Sequence, residues 1–240
     1  MWFVLALTAL VCWSGSDIFS KVGSRPDDKL SHWKMVMAVG LVMGLHAAFE
    51  IFVMGTEISL SAVIKYLPAS ILYISSMILG YVALRYIELS VSSPICNSSG
   101  ALAALFLFLF FREKPSPVVW IGVIIVGIGV VSLGFAEMSE SDEIRLMRQQ
   151  NANVKYRKSW IALMLPILYC IIDAAGTVAD AVILESLDED VANVAYELTF
   201  LTVGIVCAIY VLGVKKQRLI PKREVPKYTG AIFETAGQFA

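Results

Sequence analysis

Asp173 and Asp180 stand seven residues apart in Ser159–Leu184, a stretch with no other charge. On a helix that spacing is two turns, so both carboxyls share one face, with Gly176 and Thr177 between them. Ionisable side chains inside an apolar span are costly and point by default to ion or substrate handling. On insertion scales two central Asp residues cost roughly 5–7 kcal/mol, and the eleven Leu, Ile and Val of this span return roughly 3–7 kcal/mol. Alone the helix is marginal, and its acidic face is expected to turn into a bundle. Asp17, closing the first apolar stretch, holds nearly the equivalent place. Such carboxyls can take up and release protons in an exchanger. For Asp180 a hydrated interfacial position is the competing reading.

Other polar groups inside apolar stretches extend this set. His46 and Glu50 lie four apart, share a helix face and could relay a proton; a hydrated structural pair near a helix end is the plainer reading. Glu197 and Glu234 are candidates to line a cavity, although Glu197, beside an acidic loop, reads rather as a surface residue. Asn97, Ser98 and Ser99 form a polar cluster, and Ser75 and Ser76 another. Their groups must bond to protein, substrate or cavity water, with interhelical bonding the favoured reading. Trp13 and Tyr73 could stack on a solute or anchor at the membrane interface. Gly122, Gly127 and Gly129 predict close helix packing.

Several chemistries are not supported. The two histidines are too scattered for a zinc cluster. No phosphate-binding loop sequence is present, so direct ATP hydrolysis is not expected. Cys12, Cys96, Cys170 and Cys207 all fall in apolar stretches without a CxxC pair and read as small packing residues. Neither a cofactor nor a metal is expected. The acidic run Glu185–Asp190 reads as a solvated loop, and Glu113, between Arg112 and Lys114, as an ion-paired residue and not a catalytic one.

The elements that must position these residues follow from composition. Of 240 residues 58% are hydrophobic and 16% charged, with a mean hydropathy of +0.74. Soluble domains carry about 25% charge, so this chain cannot cover a water-facing surface. A soluble enzyme and a disordered protein are excluded. A net charge of −1 gives no basic field for phosphate backbones, which excludes a nucleic-acid binder.

Charge-poor windows at Met1–Ser16, Met35–Met54, Tyr66–Leu84, Leu89–Phe111, Pro115–Ala136, Ser159–Leu184 and Leu198–Val214 are each near the roughly 20 residues that cross a bilayer. An eighth begins near Tyr228. No strand-like alternation supports a β-barrel. The expected fold is all-α and integral to the membrane, with seven complete spans and part of an eighth. The first span lacks a basic leader and a small-residue cleavage site and reads as a retained helix. Sixteen basic residues fall in odd-numbered loops and three in even ones, which predicts cytoplasmic odd loops and an outside N-terminus.

The chain also repeats. Trp2, Leu5, Leu7, Leu10 and Cys12 match Trp160, Leu163, Leu165, Leu168 and Cys170 at an offset of 158 residues. The same offset carries the second window onto the seventh and the third onto the eighth. Five helices per unit is an odd number, so the second unit must cross in the opposite sense, the inverted-repeat plan of many secondary transporters. The expected division is 1–136 for the first unit, 137–158 for a polar cytoplasmic linker and 159–240 for an incomplete second unit. On the order of 50 further residues would complete it.

With these features the sequence resembles the drug/metabolite transporter superfamily, and within it the EamA-type ten-helix transporters. The family's first helix tends to read W-G-S with a Lys eight residues after the Trp; here Trp13-Ser14-Gly15-Ser16 leads to Lys21. Its fourth and fifth helices are joined by G-E-R/K, then W-x-G and a glycine-rich helix; here Arg112-Glu113-Lys114 leads to Trp120, Gly122, Gly127 and Gly129. Ala83-Leu84-Arg85-Tyr86 and Ser90-Val91-Ser92-Ser93 look like its A-L-x-Y and A-S-V-A segments. Arg112 replaces the usual Gly, and the mid-helix Pro expected near Ser99 is replaced by an earlier Pro94, so the fourth helix is expected to bend differently.

The resemblance implies a multi-pass cell-membrane protein, not an enzyme. Its implied activity is movement of a small metabolite or drug-like solute by alternating access. Proton coupling is motivated by the intramembrane carboxyls. The bilayer, a small solute, protons and a second copy of the chain are the expected partners. An intramembrane lipid-processing enzyme, with His46–Glu50 as its nearest catalytic candidate, and an inactive or accessory fragment are the competing readings.

Overall fold

The computed structural model describes residues 2–25, 27–111, 114–148 and 160–238. Among these, ten α-helical segments occur and no strand. They are α1 (Trp2–Gly23), α2 (Ser31–Phe49), α3 (Leu60–Ala83), α4 (Leu89–Cys96), α5 (Ser99–Phe111), α6 (Pro117–Ser139), α7 (Asp142–Arg148), α8 (Trp160–Leu184), α9 (Glu189–Ala208) and α10 (Pro221–Gln238). Seven spans are long and apolar enough to cross a bilayer, with α4 and α5 together forming one of them. The chain is an all-α integral membrane protein. Its large apolar residues support this: Ile161 is 80% exposed and Phe52 84%, which water would penalise and lipid does not.

Helix boundaries follow local chemistry. Ser59 caps α3 by accepting from the Ala62 amide at 3.2 Å. Ser116 caps α6 through Val119, with Pro117 opening the helix where its missing N–H is harmless. Asp188, from the run read as a solvated loop, caps α9 by accepting from the amides of Asp190 and Val191. α2 continues through a π-helical turn, Glu50–Met54, and stops at Gly55, whose φ of 83° suits glycine. α9 likewise ends in a π-helical segment, Ile209–Val214.

Several elements depart from the sequence reading. α1 continues to Gly23 instead of stopping before Asp17, so Asp17 and Lys21 are helical, not terminal or in a loop. Their polar groups find partners inside the bundle, which is why a charge-free window underestimates the helix. Lys34 lies in the first turn of α2 for the same reason. α9 begins at Glu189, not near Leu198, and α10 at Pro221, not near Tyr228. The fourth span breaks at Asn97–Ser98, downstream of Pro94, which cannot donate to the helix ladder. Gly122, Gly127 and Gly129 do not support close packing. No described atom lies within 4 Å of where their Cβ would stand, because no described helix covers that face of α6. Arg112, Glu113 and the end of the polar linker lie outside the described residues.

Three pairings build the bundle: α1 against α10, α2 against α9, and α3 against α8. The α2–α9 crossing is tight because both backbones present glycine. A Cβ on Gly40 would stand 2.9 Å from the Gly204 Cα. Around this crossing Met35, Met43, Ile74 and Phe200 form the main apolar core. The offset of 158 residues carries α1 onto α8, α3 onto α10 and α2 onto α9. It therefore exchanges the α1–α10 pair with the α8–α3 pair and returns α2–α9 to itself. Both π-helical segments also correspond.

Candidate functional site

Between the α3–α8 and α1–α10 pairs lies a cavity of about 460 Å³. α8 presents Asp173, Thr177 and Asp180 to it, the face that the seven-residue spacing predicts. α3 answers with its own ladder. Tyr66 donates to the Asp180 carboxylate at 2.6 Å, Tyr73 to the Thr177 hydroxyl at 3.3 Å, and Ser76 to Asp173 at 2.9 Å. The antiparallel helices thus match Tyr66, Tyr73 and Ser76 of α3 with Asp180, Thr177 and Asp173 of α8. Gly176 makes room for the Tyr73 ring, which a Cβ there would meet at 3.0 Å.

The opposite wall is built from α1 and α10. Asp17 accepts from the Ser93 hydroxyl and from Asn97, placed by the broken fourth span. Glu234 on α10 is hydrogen-bonded to Ser16 on α1. It lies close enough to Asp17 and Asp173 for the three charges to interact. Under the 158-residue offset Ser76 becomes Glu234, and Asp173 falls on Gly15, next to Ser16. One wall therefore has its acid on α8 and its serine on α3, and the other has its acid on α10, which the offset matches to α3, and its serine on α1, which it matches to α8.

Of the residues singled out in the sequence, Trp13, Asp17, Tyr73, Asn97, Asp173, Asp180 and Glu234 all border this cavity. Ser98 does not; its hydroxyl turns to the Ile95 carbonyl and the Cys170 sulfur, and neighbouring Ser99 takes the place beside Asp173. His46, Glu50 and Glu197 form a separate cluster at the α2–α9 contact. His46 Nδ1 lies 3.1 Å from Glu197, and its Nε2 lies 3.8 Å from Glu50. The surface reading of Glu197 is wrong: its side chain is 0% exposed, because α9 begins two turns earlier and buries that face against α2. Tyr66, Tyr169, Asn193 and Tyr196 line the cavity without having been anticipated. For Tyr66 the signal was present, since it precedes Tyr73 by two helical turns.

The cavity draws on Trp13 and Asp17 beyond the middle of α1, on Tyr66, Tyr73 and Met77 along α3, on the start of α9 and on the C-terminal parts of α8 and α10. Away from it, the α1–α2 loop and the first turns of α2 and α10 carry paired charges. Lys34 lies 2.8 Å from Asp28 and 3.5 Å from Glu224, and Lys227 lies 2.9 Å from Glu224. None of the four side chains is more than 10% exposed. Nearby, Lys21 Nζ donates to the carbonyls of Leu84 and Ile87 at 2.5 and 2.9 Å, tying α1 to the end of α3. At the rim, Asp27 is held below the ordinary carboxylate range by its hydrogen bond from Arg25 and by the charge of Arg223.

Among the described residues no group of His, Cys, Asp and Glu is arranged to hold a metal ion. In a comparison with curated proteins none matched the chain. Residues 1–135, more than half of the chain, match the EamA-like transporter family, and the chain belongs to that family. The match covers α1 to α6; Asp173, Asp180 and Glu234 lie beyond it.

Proposed function

From that membership, we propose that the chain carries a small metabolite or drug-like solute across the cell membrane by secondary active transport, with the cavity as its binding site. The observation that carries this is the placement of Asp173, Asp17 and Glu234 around one cavity between the helix pairs, contributed by both halves of the chain. Midplane sites between repeats are where inverted-repeat transporters bind their cargo.

The helix pairings support reading 1–136 and 159–240 as inverted units joined by the linker 137–158. In this reading the Lys34–Asp28–Glu224–Lys227 cluster is the closed gate of one access state, and opening requires α10 to part from α2. Protons are the proposed coupling ion, carried by the cavity carboxyls. The odd-numbered loops are placed in the cytoplasm, and a second copy of the chain is the proposed partner.

The test is flux in proteoliposomes holding the purified chain, driven by an imposed proton gradient and screened over amines, alcohols and carboxylates. Uptake above empty liposomes is expected, with Asp173→Asn reducing it at least 100-fold. No uptake of any class overturns the transporter reading. Uptake unchanged in Asp173→Asn removes the coupling and site assignment.

A further inference from the structure

We infer that the cavity takes an organic cation, a solute whose ammonium group sits among Asp17, Asp173 and Glu234. This rests on the reading of the cavity as the solute site and names its cargo class. The cavity's charges are one-sided. Among the described residues four acids line it, and no Lys, Arg or His does. Each carboxyl is met by neutral partners only: Asp173 by Ser76, Asp180 by Tyr66, Asp17 by Ser93, Glu234 by Ser16. The basic residue one turn below Asp17 on α1, Lys21, is drawn away to the carbonyls that end α3.

Buried carboxylates with neutral partners need a positive charge or a proton to offset desolvation. A cationic solute supplies that charge; an anionic one would be repelled by all four. The walls suit a cation in a second way. Trp13, Tyr73, Tyr169 and Tyr196 line the same space, and aromatic faces attract ammonium groups.

An independent observation points the same way. The Tyr81 hydroxyl is buried, with the residue 6% exposed, and has no hydrogen-bond partner among the described residues. It borders a small annexe that shares Asp17, Tyr169 and Glu234 with the main cavity. An unpaired buried hydroxyl costs free energy, and an ammonium N–H beside Asp17 and Glu234 would satisfy its oxygen. The cavity's 460 Å³ falls in the range that holds a drug-sized molecule.

The experiment is calorimetric titration of the purified chain in detergent with three probes of like shape: 2-phenylethylamine, 2-phenylethanol and 3-phenylpropionate. The amine is expected to bind at least ten-fold more tightly than the alcohol, and the carboxylate not to bind. Asp173→Asn and Glu234→Gln should each weaken the amine at least ten-fold without lowering the thermal midpoint. Absence of saturable amine binding, or equal binding of the alcohol or the carboxylate, overturns the inference on the unaltered protein, whatever the variants do. Amine affinity unchanged in both variants also overturns it. The same probes in proteoliposomes separate the two claims. Flux of the alcohol or carboxylate but not of the amine leaves the transporter and removes the cation. Amine binding without flux of any probe does the reverse.

Discussion

Asp173 and Glu224 are both acids drawn into the helix bundle, and the molecule surrounds them differently. Asp173, on α8, meets hydroxyls from α3 and α5 and no base. Glu224, on α10, lies between Lys34 and Lys227. About ten residues separate Glu224 from Glu234 on the same helix, roughly 15 Å of rise, so one helix carries both treatments. Charges paired within the protein make a buried, ion-paired seam. Charges met only by neutral donors leave an electrostatic vacancy that a solute or proton can fill. The difference divides the bundle into an ion-paired end and an acid-lined cavity; under the proposed function this is the asymmetry that one state of an alternating-access carrier requires.

The ion-paired end offers the largest effect. Glu224→Gln leaves Lys227 without its carboxylate in a buried site, while Lys34 keeps Asp28; breaking such a pair costs about 3–5 kcal/mol. Thermal or denaturant unfolding in detergent measures it; a loss under 1 kcal/mol would show the seam to be hydrated. Next comes the α2–α9 crossing, on which both regions hang. Gly204→Leu should destabilise by about 1–3 kcal/mol by forcing the helices apart. In the cavity Tyr66→Phe removes one hydroxyl from Asp180. Because that carboxyl is half-exposed, the expected effect is smaller, roughly a five-fold rise in KM with stability held. Unchanged KM would take Asp180 out of the solute path. The smallest effect belongs to Gly127→Leu on the uncovered face of α6, expected within about 0.5 kcal/mol of the parent. A large loss there would mean that another helix, from this chain or a second copy, covers that face.

Much of this was legible in the residues. Hydropathy gave the spans, and the seven-residue spacing gave the shared face of Asp173 and Asp180. The offset placed Glu234 near the counterpart of Ser76. What escaped were features that depend on partners distant in sequence. α1 runs through Asp17 and Lys21 because Ser93, Asn97 and the carbonyls of Leu84 and Ile87 receive them. Glu197 is buried because His46, 151 positions away, lies against it. A window that ends at each charge cannot see such compensation. The tyrosine ladder of α3 was visible as a spacing, but its meaning depends on α8 lying antiparallel beside it.

The most direct test of the central claim is sidedness of access to the cavity. Thr177→Cys, in a chain whose four native cysteines are replaced by serine, places a thiol between Asp173 and Asp180. A membrane-impermeant maleimide is applied to each face of proteoliposomes in turn, with and without Glu224→Gln. The account predicts strong labelling from one face alone in the parent, and added labelling from the other face once the ion-paired seam is weakened. Labelling from neither face, or equal labelling from both faces in the parent, would contradict it.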